Sequence, residues 1–109
     1  MKALLILLLA ATPAFAHARL MASEPAANAS VKTPGQIKLT FSEKLEPAFS
    51  SANLTDAAGK TVPVSKAVGQ TTITLMPLAL KAGTYTVSWH SVGQDTHRLG
   101  GRFSFKVVN

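Results

Sequence analysis

Cysteine is absent from this chain of 109 residues, and its absence excludes several kinds of structure and chemistry. Without thiols the protein can form no disulfide, no thiolate zinc site and no iron–sulfur cluster. The fold must therefore be stabilised by its hydrophobic core, even in an oxidising compartment. The soft sulfur donors that could bind a metal are limited to the thioethers of 3 methionines.

Aromatic residues make up only 6% of the chain, and it has 5 acidic residues but 11 lysines and arginines. The lysines are scattered singly and are not interleaved with aromatic side chains that could stack on bases. The sequence therefore does not predict nucleic-acid binding. Scattered lysines are instead typical of a soluble protein that protects the exposed edges of its β-sheets.

The sequence has no hydrophobic run of the roughly 20 residues that a membrane-spanning helix requires. An apolar segment from Ala3 to Ala11 follows Lys2 and precedes an A-x-A motif that ends at Ala16. This pattern predicts a secretory signal peptide over residues 1–16, a mature domain over residues 17–109, and the periplasm as its compartment. Loss of Lys2 on cleavage lowers the formal net charge from +6 to +5.

Short segments of alternating apolar and polar residues predict β-strands. They cover residues 18–22, 36–42, 51–56, 61–67, 71–76, 84–92 and 102–108. Closely spaced turn signals and the lack of a sustained helical period predict an all-β fold, a seven-stranded antiparallel Greek-key β-sandwich. The expected core residues are Ile37, Leu39, Phe41, Leu54, Ile73, Leu75, Tyr85, Val87, Trp89, Phe103, Phe105 and Val107.

Cleavage after Ala16 would make His17 the first residue of the mature chain, which would change its chemistry. A free α-amine, with an ordinary pKa of about 8, would then lie beside an imidazole, with one of about 6.5. The amine nitrogen and ring Nδ1 can chelate one metal ion, and such donors suit Cu(II), Ni(II) and Zn(II) better than calcium or magnesium. Taken alone, His17 is more simply explained as the residue at which a signal happens to end.

A second candidate for metal binding is Asp95-Thr-His97, in the loop between the last two predicted strands. In an extended backbone, residues two apart point to the same side, so this carboxylate and imidazole could converge. Alone, such a pair more often reflects a solvated loop or an Asp–His hydrogen bond. Together with His17 it provides an amine, two imidazoles and a carboxylate, a donor set suited to tetragonal Cu(II).

Three further residues carry possible donor atoms but are not predicted to be metal ligands. His90 lies on the polar face of its strand and belongs to no motif, so we expect a surface histidine. Met21 and Met76 are not clustered, and we expect them to pack in the fold. A methionine-rich Cu(I) site is therefore not predicted.

Several segments, in their order and spacing, resemble the CopC family of periplasmic copper-binding proteins across the whole mature chain. They are His17-Ala-Arg-Leu directly after the cleavage site, Ser23-Glu-Pro-Ala, Leu39-Thr-Phe-Ser-Glu43, Leu80-Lys-Ala-Gly-Thr-Tyr-Thr-Val-Ser-Trp89, and Asp95-Thr-His97 followed by Gly101-Arg-Phe-Ser-Phe105. The resemblance implies a cupredoxin-like sandwich with a Cu(II) site of His17, Asp95 and His97. Glu43 matches a position that is sometimes close to the metal in relatives.

The resemblance also implies a function. It indicates a copper carrier without enzymatic activity, active in copper resistance or delivery, whose partner is an inner-membrane copper transport protein. The chain departs from the family pattern at Asp95-Thr-His97-Arg98, where relatives usually have Asp-Gly-His-Pro. It also lacks the methionine-rich Cu(I) segment of some members.

Two other functions remain as alternatives. A terminal-histidine chelate with a second imidazole is also the copper brace of lytic polysaccharide monooxygenases. However, a mature chain of this length leaves little surface for a polymer substrate, and Asp95 would occupy a position that O2 chemistry requires to be open. An adhesive sandwich would bind no metal. We expect a monomeric Cu(II) carrier that acts on no polymer.

Overall fold

Two β-sheets form the part of the chain that the computed structural model describes, residues 17–109. In chain order the strands are β1 (Leu20–Glu24), β2 (Ser30–Val31), β3 (Ile37–Phe41), β4 (Ser51–Thr55), β5 (Thr61–Val62), β6 (Val64–Val68), β7 (Thr72–Pro77), β8 (Gly83–Val92) and β9 (Arg98–Val107). A single 3-10 turn over Pro47–Phe49 precedes β4. The predicted signal peptide lies outside the described residues, and within them no helix is long and apolar enough to cross a membrane.

The first sheet has the order β1-β3-β7-β6 and the second has the order β2-β9-β8-β4-β5. The predicted all-β sandwich is therefore confirmed, although the described residues form nine strands where seven were predicted, and the pairing differs in detail. The short strand β2 pairs with β9 in parallel, so the second sheet is not purely antiparallel. Two residues are too few to show an alternating pattern, which is why the sequence did not indicate β2.

The predicted strand over residues 61–67 is divided between the two sheets. Its first part, β5, pairs with β4, whereas its second part, β6, pairs with β7. Pro63 lies at the division. Because proline has no N–H to donate to a strand ladder, it favours the end of one strand and the start of another.

The long hairpin of β8 and β9 places the candidate site at one end of the sandwich. Its register runs without interruption from the pair Gly83 and Val107 to the pair Val92 and Arg98. The turn that joins the two strands therefore consists of residues 93–97, which include Asp95 and His97.

Alternation along the strands predicted most of the core. All twelve expected residues lie in it or against it, ten of them buried and Trp89 and Phe103 half-buried. The ring of Trp89 packs edge-on against Phe41, with centroids 5.4 Å apart. It also lies so close to Gly101 that a Cβ there would be 2.9 Å from the indole, so glycine is required at this position.

The expectation that the two mature-chain methionines pack in the fold is wrong. Met21 is 66% exposed and Met76 is 39% exposed. Met21 lies in the bulge of β1 between Leu20 and Ala22, and Met76 lies on the outward side of β7. Since β3 separates their strands, two strand spacings of about 4.8 Å keep the thioethers apart. Neither methionine has the other as a neighbouring sulfur donor for Cu(I).

Candidate metal centre

Two serine hydroxyls fix the backbone of residues 17–19. Ser91 is fully buried, and its Oγ donates to the carbonyl oxygen of Ala18, which is itself 1% exposed. Ser42 Oγ donates to the carbonyl oxygen of His17 at 3.1 Å and accepts from the N–H of Arg19 at 2.9 Å. Because these bonds satisfy a backbone polar group of each of the three residues, they hold His17 beside the β8–β9 turn.

Sequence reasoning did not single out Ser42 or Ser91, although a signal for Ser91 was present. On β8 it follows Tyr85, Val87 and Trp89 at two-residue intervals, so it belongs to the inward face. A hydroxyl on that face requires a hydrogen-bond partner. The partner could not be identified from the sequence, because the N-terminal segment is distant along the chain.

The β8–β9 turn is closed by hydrogen bonds around Asp95. The N–H of Thr96 donates to the carbonyl oxygen of Gly93 at 3.0 Å, and the N–H of His97 donates to Asp95 Oδ1 at 3.1 Å. Gly93 is buried, and a Cβ there would lie 3.1 Å from Asp95 Oδ1 and 3.5 Å from the nitrogen of Ala18. The turn and the N-terminal segment are therefore in close contact at this glycine.

The backbone through Asp95-Thr-His97 is not extended, so Asp95 and His97 do not converge by the alternation of a strand. Thr96 has a φ of 65°, in the left-handed region that glycine occupies readily and β-branched residues rarely do. The carboxylate and the imidazole converge because the chain turns at Thr96. At this position the members of the family that the sequence resembles usually have glycine.

Three side chains meet at this end of the sandwich. Nδ1 of His17 lies 2.8 Å from Oδ2 of Asp95, and Nδ1 of His97 lies 3.3 Å from the same oxygen. The two imidazole rings are arranged edge to face, with centroids 4.7 Å apart and planes at 89°. The side chains of His17 and His97 are 42% and 67% exposed, whereas that of Asp95 is only 6% exposed. The Asp95 carboxylate is thus buried at the centre of the group, and the two imidazoles around it are accessible to solvent.

These hydrogen bonds favour the ionised form of Asp95. The bond from the His17 ring lowers the pKa of Asp95 below its ordinary value of 3.8, and bonds from the N–H and the ring of His97 act in the same direction. Burial raises the pKa of this carboxyl but does not reverse the direction. The centre therefore holds an anionic oxygen between two imidazoles at neutral pH.

The arrangement fits a small metal ion that prefers nitrogen and oxygen. One donor atom from each of His17, Asp95 and His97 lies within 4.8 Å of the others. Zinc–nitrogen and zinc–oxygen bonds are about 2.0–2.2 Å long, so two neighbouring donors at right angles are about 2.8–3.1 Å apart. The observed separations from Asp95 Oδ2 are close to this range. A metal could bind here without large movements of the backbone.

Two other polar candidates do not join this group. Glu43 is exposed and lies outside the set of donors within 4.8 Å. His90 lies on the outward face of β8, opposite Ser51 of β4 and Gly100 of β9. Burial, and then the charges of Arg98 and Lys66, lower the pKa of His90 below its ordinary value of 6.5.

Substitution Thr96→Gly should stabilise the protein. A non-glycine residue in the left-handed region costs on the order of 1–2 kcal/mol, and the substitution would remove this cost. The stabilisation exceeds the cost of about 0.5–1 kcal/mol for the greater freedom of glycine in the unfolded chain. We expect the free energy of unfolding to rise by about 1 kcal/mol and the midpoint temperature of thermal unfolding to rise by roughly 4–8 °C. Thermal unfolding of the metal-free protein measures this change. Thr96→Asn should fall between the two, since asparagine tolerates this region better than threonine. A Thr96→Gly protein no more stable than the parent would contradict the turn conformation.

The fold and the site together define a class, a small β-sandwich with a candidate metal centre of two imidazoles and a carboxylate at one end. The family model of the CopC domain matches residues 20–108. The chain therefore belongs to the CopC family. Copper resistance protein C of Xanthomonas campestris pv. juglandis is 39% identical over 109 residues, covering 91% of this chain and 86% of the relative. Protein YobA of Escherichia coli strain K12 is 42% identical over 99 residues, covering 85% and 80%.

A solved structure with the same fold supports this assignment. It is that of PcoC, a methionine-rich copper resistance protein from Escherichia coli. The two structures match with a TM-score of 0.80 and 37% sequence identity, covering 85% of this chain and all of the other. The present chain does not share the methionine-rich character, because it has only 3 methionines, one of them at position 1.

Proposed function

We propose that this protein is a periplasmic Cu(II) carrier in copper resistance or delivery, with a mononuclear site built on the mature N-terminal histidine. The ligands are the α-amine and ring of His17, the carboxylate of Asp95 and the ring of His97. Cleavage of residues 1–16 by a signal peptidase completes the site, because it converts a peptide nitrogen into an amine. The names of the relatives support copper as the metal.

The observation that carries this proposal is the meeting of His17 and Asp95, 78 residues apart in sequence, at 2.8 Å. Nδ1 is the ring nitrogen directed at Asp95, and it is also the one that can chelate together with the α-amine of the same residue. A carboxylate placed between two imidazoles and an amine favours Cu(II) over Cu(I), since the latter prefers sulfur donors.

A carrier must release its metal as well as bind it, and the exposure of the centre is suited to this. The His97 side chain is the most exposed of the three ligands, so an incoming ligand from a partner can reach the metal on that side. The resemblance to the family implies that this partner is an inner-membrane copper transport protein. Because Asp95 lies against both imidazoles, it would occupy a coordination position that O2 chemistry requires to be open, and we propose a role in metal binding and not in catalysis.

Titration of Cu(II) into protein that begins at His17, in competition with a chromogenic chelator, tests this proposal. We expect one tight equivalent for each protein molecule, and loss of that equivalent on substitution of Asp95→Asn together with His97→Ala. A parent protein without a tight equivalent would refute the copper site. Zn(II) and Ni(II) in the same assay show whether the site selects copper.

Copper affinity should fall as the pH is lowered from about 8 to 5, because protons compete for an amine and two imidazoles, whose ordinary pKa values are about 8 and 6.5. Asp95 should add nothing to this dependence, since its hydrogen bonds lower its pKa below 3.8 and keep it ionised throughout the range. Competition titrations at several pH values measure the slope. An affinity independent of pH would contradict nitrogen ligation.

A further inference from the structure

The second sheet carries no acidic residue on any of its five strands. The five acidic residues of the chain are Glu24 on β1, and Glu43, Glu46, Asp56 and Asp95 in connecting segments. The first sheet differs, because Glu24 of β1 lies directly opposite Lys38 of β3. The positive charge of the protein is therefore distributed unevenly between its two broad faces.

The outward side of β9 presents a row of three exposed basic side chains. Arg98, Arg102 and Lys106 follow one another at intervals of four residues. They lie on the side of β9 opposite to the buried Phe105 and Val107. At about 3.4 Å per residue, the row is roughly 27 Å long. Its length matches that of the strand, so the charges are spread over the whole face and not gathered in a pocket.

The neighbouring strands add hydroxyl groups and one further cation. Thr84 and Ser88 of β8 lie opposite Lys106 and Arg102. We call this surface the basic face: the outward residues of β9, β8 and β4, which are Arg98, Gly100, Arg102, Ser104, Lys106, Thr84, Thr86, Ser88, His90, Val92, Ser51, Asn53 and Thr55. Lys66 reaches its edge from β6, and its Nζ donates to Asn53 Oδ1 at 2.7 Å.

The charges of the basic face are not neutralised within the protein. Among residues 17–109, both ion pairs closer than 4.0 Å involve Asp95 and a histidine. Burial, and then the nearby charges of Arg98 and Lys66, lower the pKa of His90 on the same face.

The end of the basic face nearest the metal centre also carries an exposed aromatic ring. Phe49 is 65% exposed and lines an open groove of about 580 Å3 together with Val92, Arg98 and Thr96. Glu46 lies in the same groove but makes no ion pair with Arg98. An aromatic ring beside cationic side chains is typical of a surface that rests in the interfacial region of a membrane.

We propose that the basic face docks the protein on an anionic phospholipid bilayer, with Phe49 entering the headgroup region at the metal-bearing end. A row of separated cations with hydroxyl groups between them fits the continuous plane of phosphates that such a bilayer presents. An acidic protein partner would more commonly be met by a localised patch or pocket. Docking in this orientation keeps the metal centre close to the membrane surface, where a transport protein could exchange the ion.

Sedimentation of metal-free protein beginning at His17 with phospholipid vesicles tests the proposal without depending on the copper site. One set of vesicles contains equal parts of phosphatidylglycerol and phosphatidylcholine, and the other contains phosphatidylcholine alone. We expect binding to the anionic vesicles only, weakened by salt. The triple substitution Arg98→Gln, Arg102→Gln and Lys106→Gln should reduce binding roughly 100-fold, at about fivefold per cation.

A matched control removes the same net charge elsewhere. Lys38→Gln, Lys44→Gln and Lys81→Gln alter exposed lysines outside the second sheet, and binding should change only a few-fold. Equal losses in the two triple variants would mean that net charge alone governs binding, which would overturn the proposal. The proposal would also be overturned if the parent did not bind anionic vesicles. Soluble polyglutamate provides acidic groups without a bilayer. If the basic face were required for binding polyglutamate but not for binding vesicles, the proposal would likewise be overturned. Thermal unfolding of each variant verifies that it is folded.

Discussion

Acetylation of the α-amine of His17 should weaken Cu(II) binding by roughly two to three orders of magnitude. Structural zinc sites with four ligands are worth about 10–16 kcal/mol, so one donor accounts for about 2.5–4 kcal/mol. Since 1.4 kcal/mol corresponds to a tenfold change in affinity, the loss amounts to a factor of roughly 60–700. Acetylation converts the α-amine of His17 into an amide without adding a new amine, and it removes a chelate ring, while the ring of His17 can remain beside Asp95.

Chelator competition on the unmodified and acetylated proteins, side by side, measures this difference. Acetylation of the exposed Lys81 is the matched control, because it neutralises one amine at the opposite end of the β8–β9 hairpin and should leave binding as in the parent. If the protein acetylated at His17 bound Cu(II) as tightly as the parent, the amine would not be a ligand.

Substitution His97→Ala should have an effect of similar size, because it removes an imidazole from the plane of the metal. His90→Ala is a close control, since it removes the same kind of side chain from the outer face of β8, away from the group of three. We expect a loss of roughly 100-fold or more in Cu(II) affinity for the first variant and little change for the second.

The same series tests the oxidation state that the protein holds. Met21→Leu and Met76→Leu should leave Cu(II) binding nearly unchanged, because the thioethers lie on separate strands and are not ligands. Cu(I) competition titrations complete the comparison. If the parent held Cu(I) tightly and either methionine variant lost it, a carrier that cycles between both oxidation states would replace the Cu(II) carrier.

Alternation of apolar and polar residues was sufficient to predict the two-sheet fold and its core. Residues such as Ile37, Leu39 and Phe41 repeat every second position, and a strand with this pattern has one face that must be buried. The pattern could not indicate which strands pair, because pairing depends on contacts between distant segments. The division at Pro63 and the parallel pairing of β2 are features of that kind.

The candidate site was predicted in part. The residue types of His17, Asp95 and His97 indicated metal chemistry, and their meeting in space was inferred only through resemblance to a family. The reasons for their meeting were not apparent in the sequence. Convergence in the turn depends on the left-handed backbone at Thr96, and the position of His17 depends on the buried bond from Ser91 to Ala18. A local pattern does not show such contacts.

Exposure of the methionines is consistent with the same alternation, although residue type alone suggested packing. Ile73 and Leu75 are buried, so Met76 lies on the outward side of β7. Leu20 is half-buried, and Met21 next to it is exposed. The departure from alternation comes at Ala22, which is also exposed, because the bulge shifts the pattern of β1 by one residue.

Electron paramagnetic resonance of the mature protein loaded with one equivalent of Cu(II) tests the central claim most directly. Coupling to nitrogen nuclei reports how many nitrogen donors lie in the plane of the metal. The proposed site predicts a tetragonal Cu(II) signal with three nitrogen donors for the parent, and two for both the protein acetylated at His17 and the His97→Ala protein. Identical spectra from all three proteins would contradict a site built on the amine of His17 and the ring of His97.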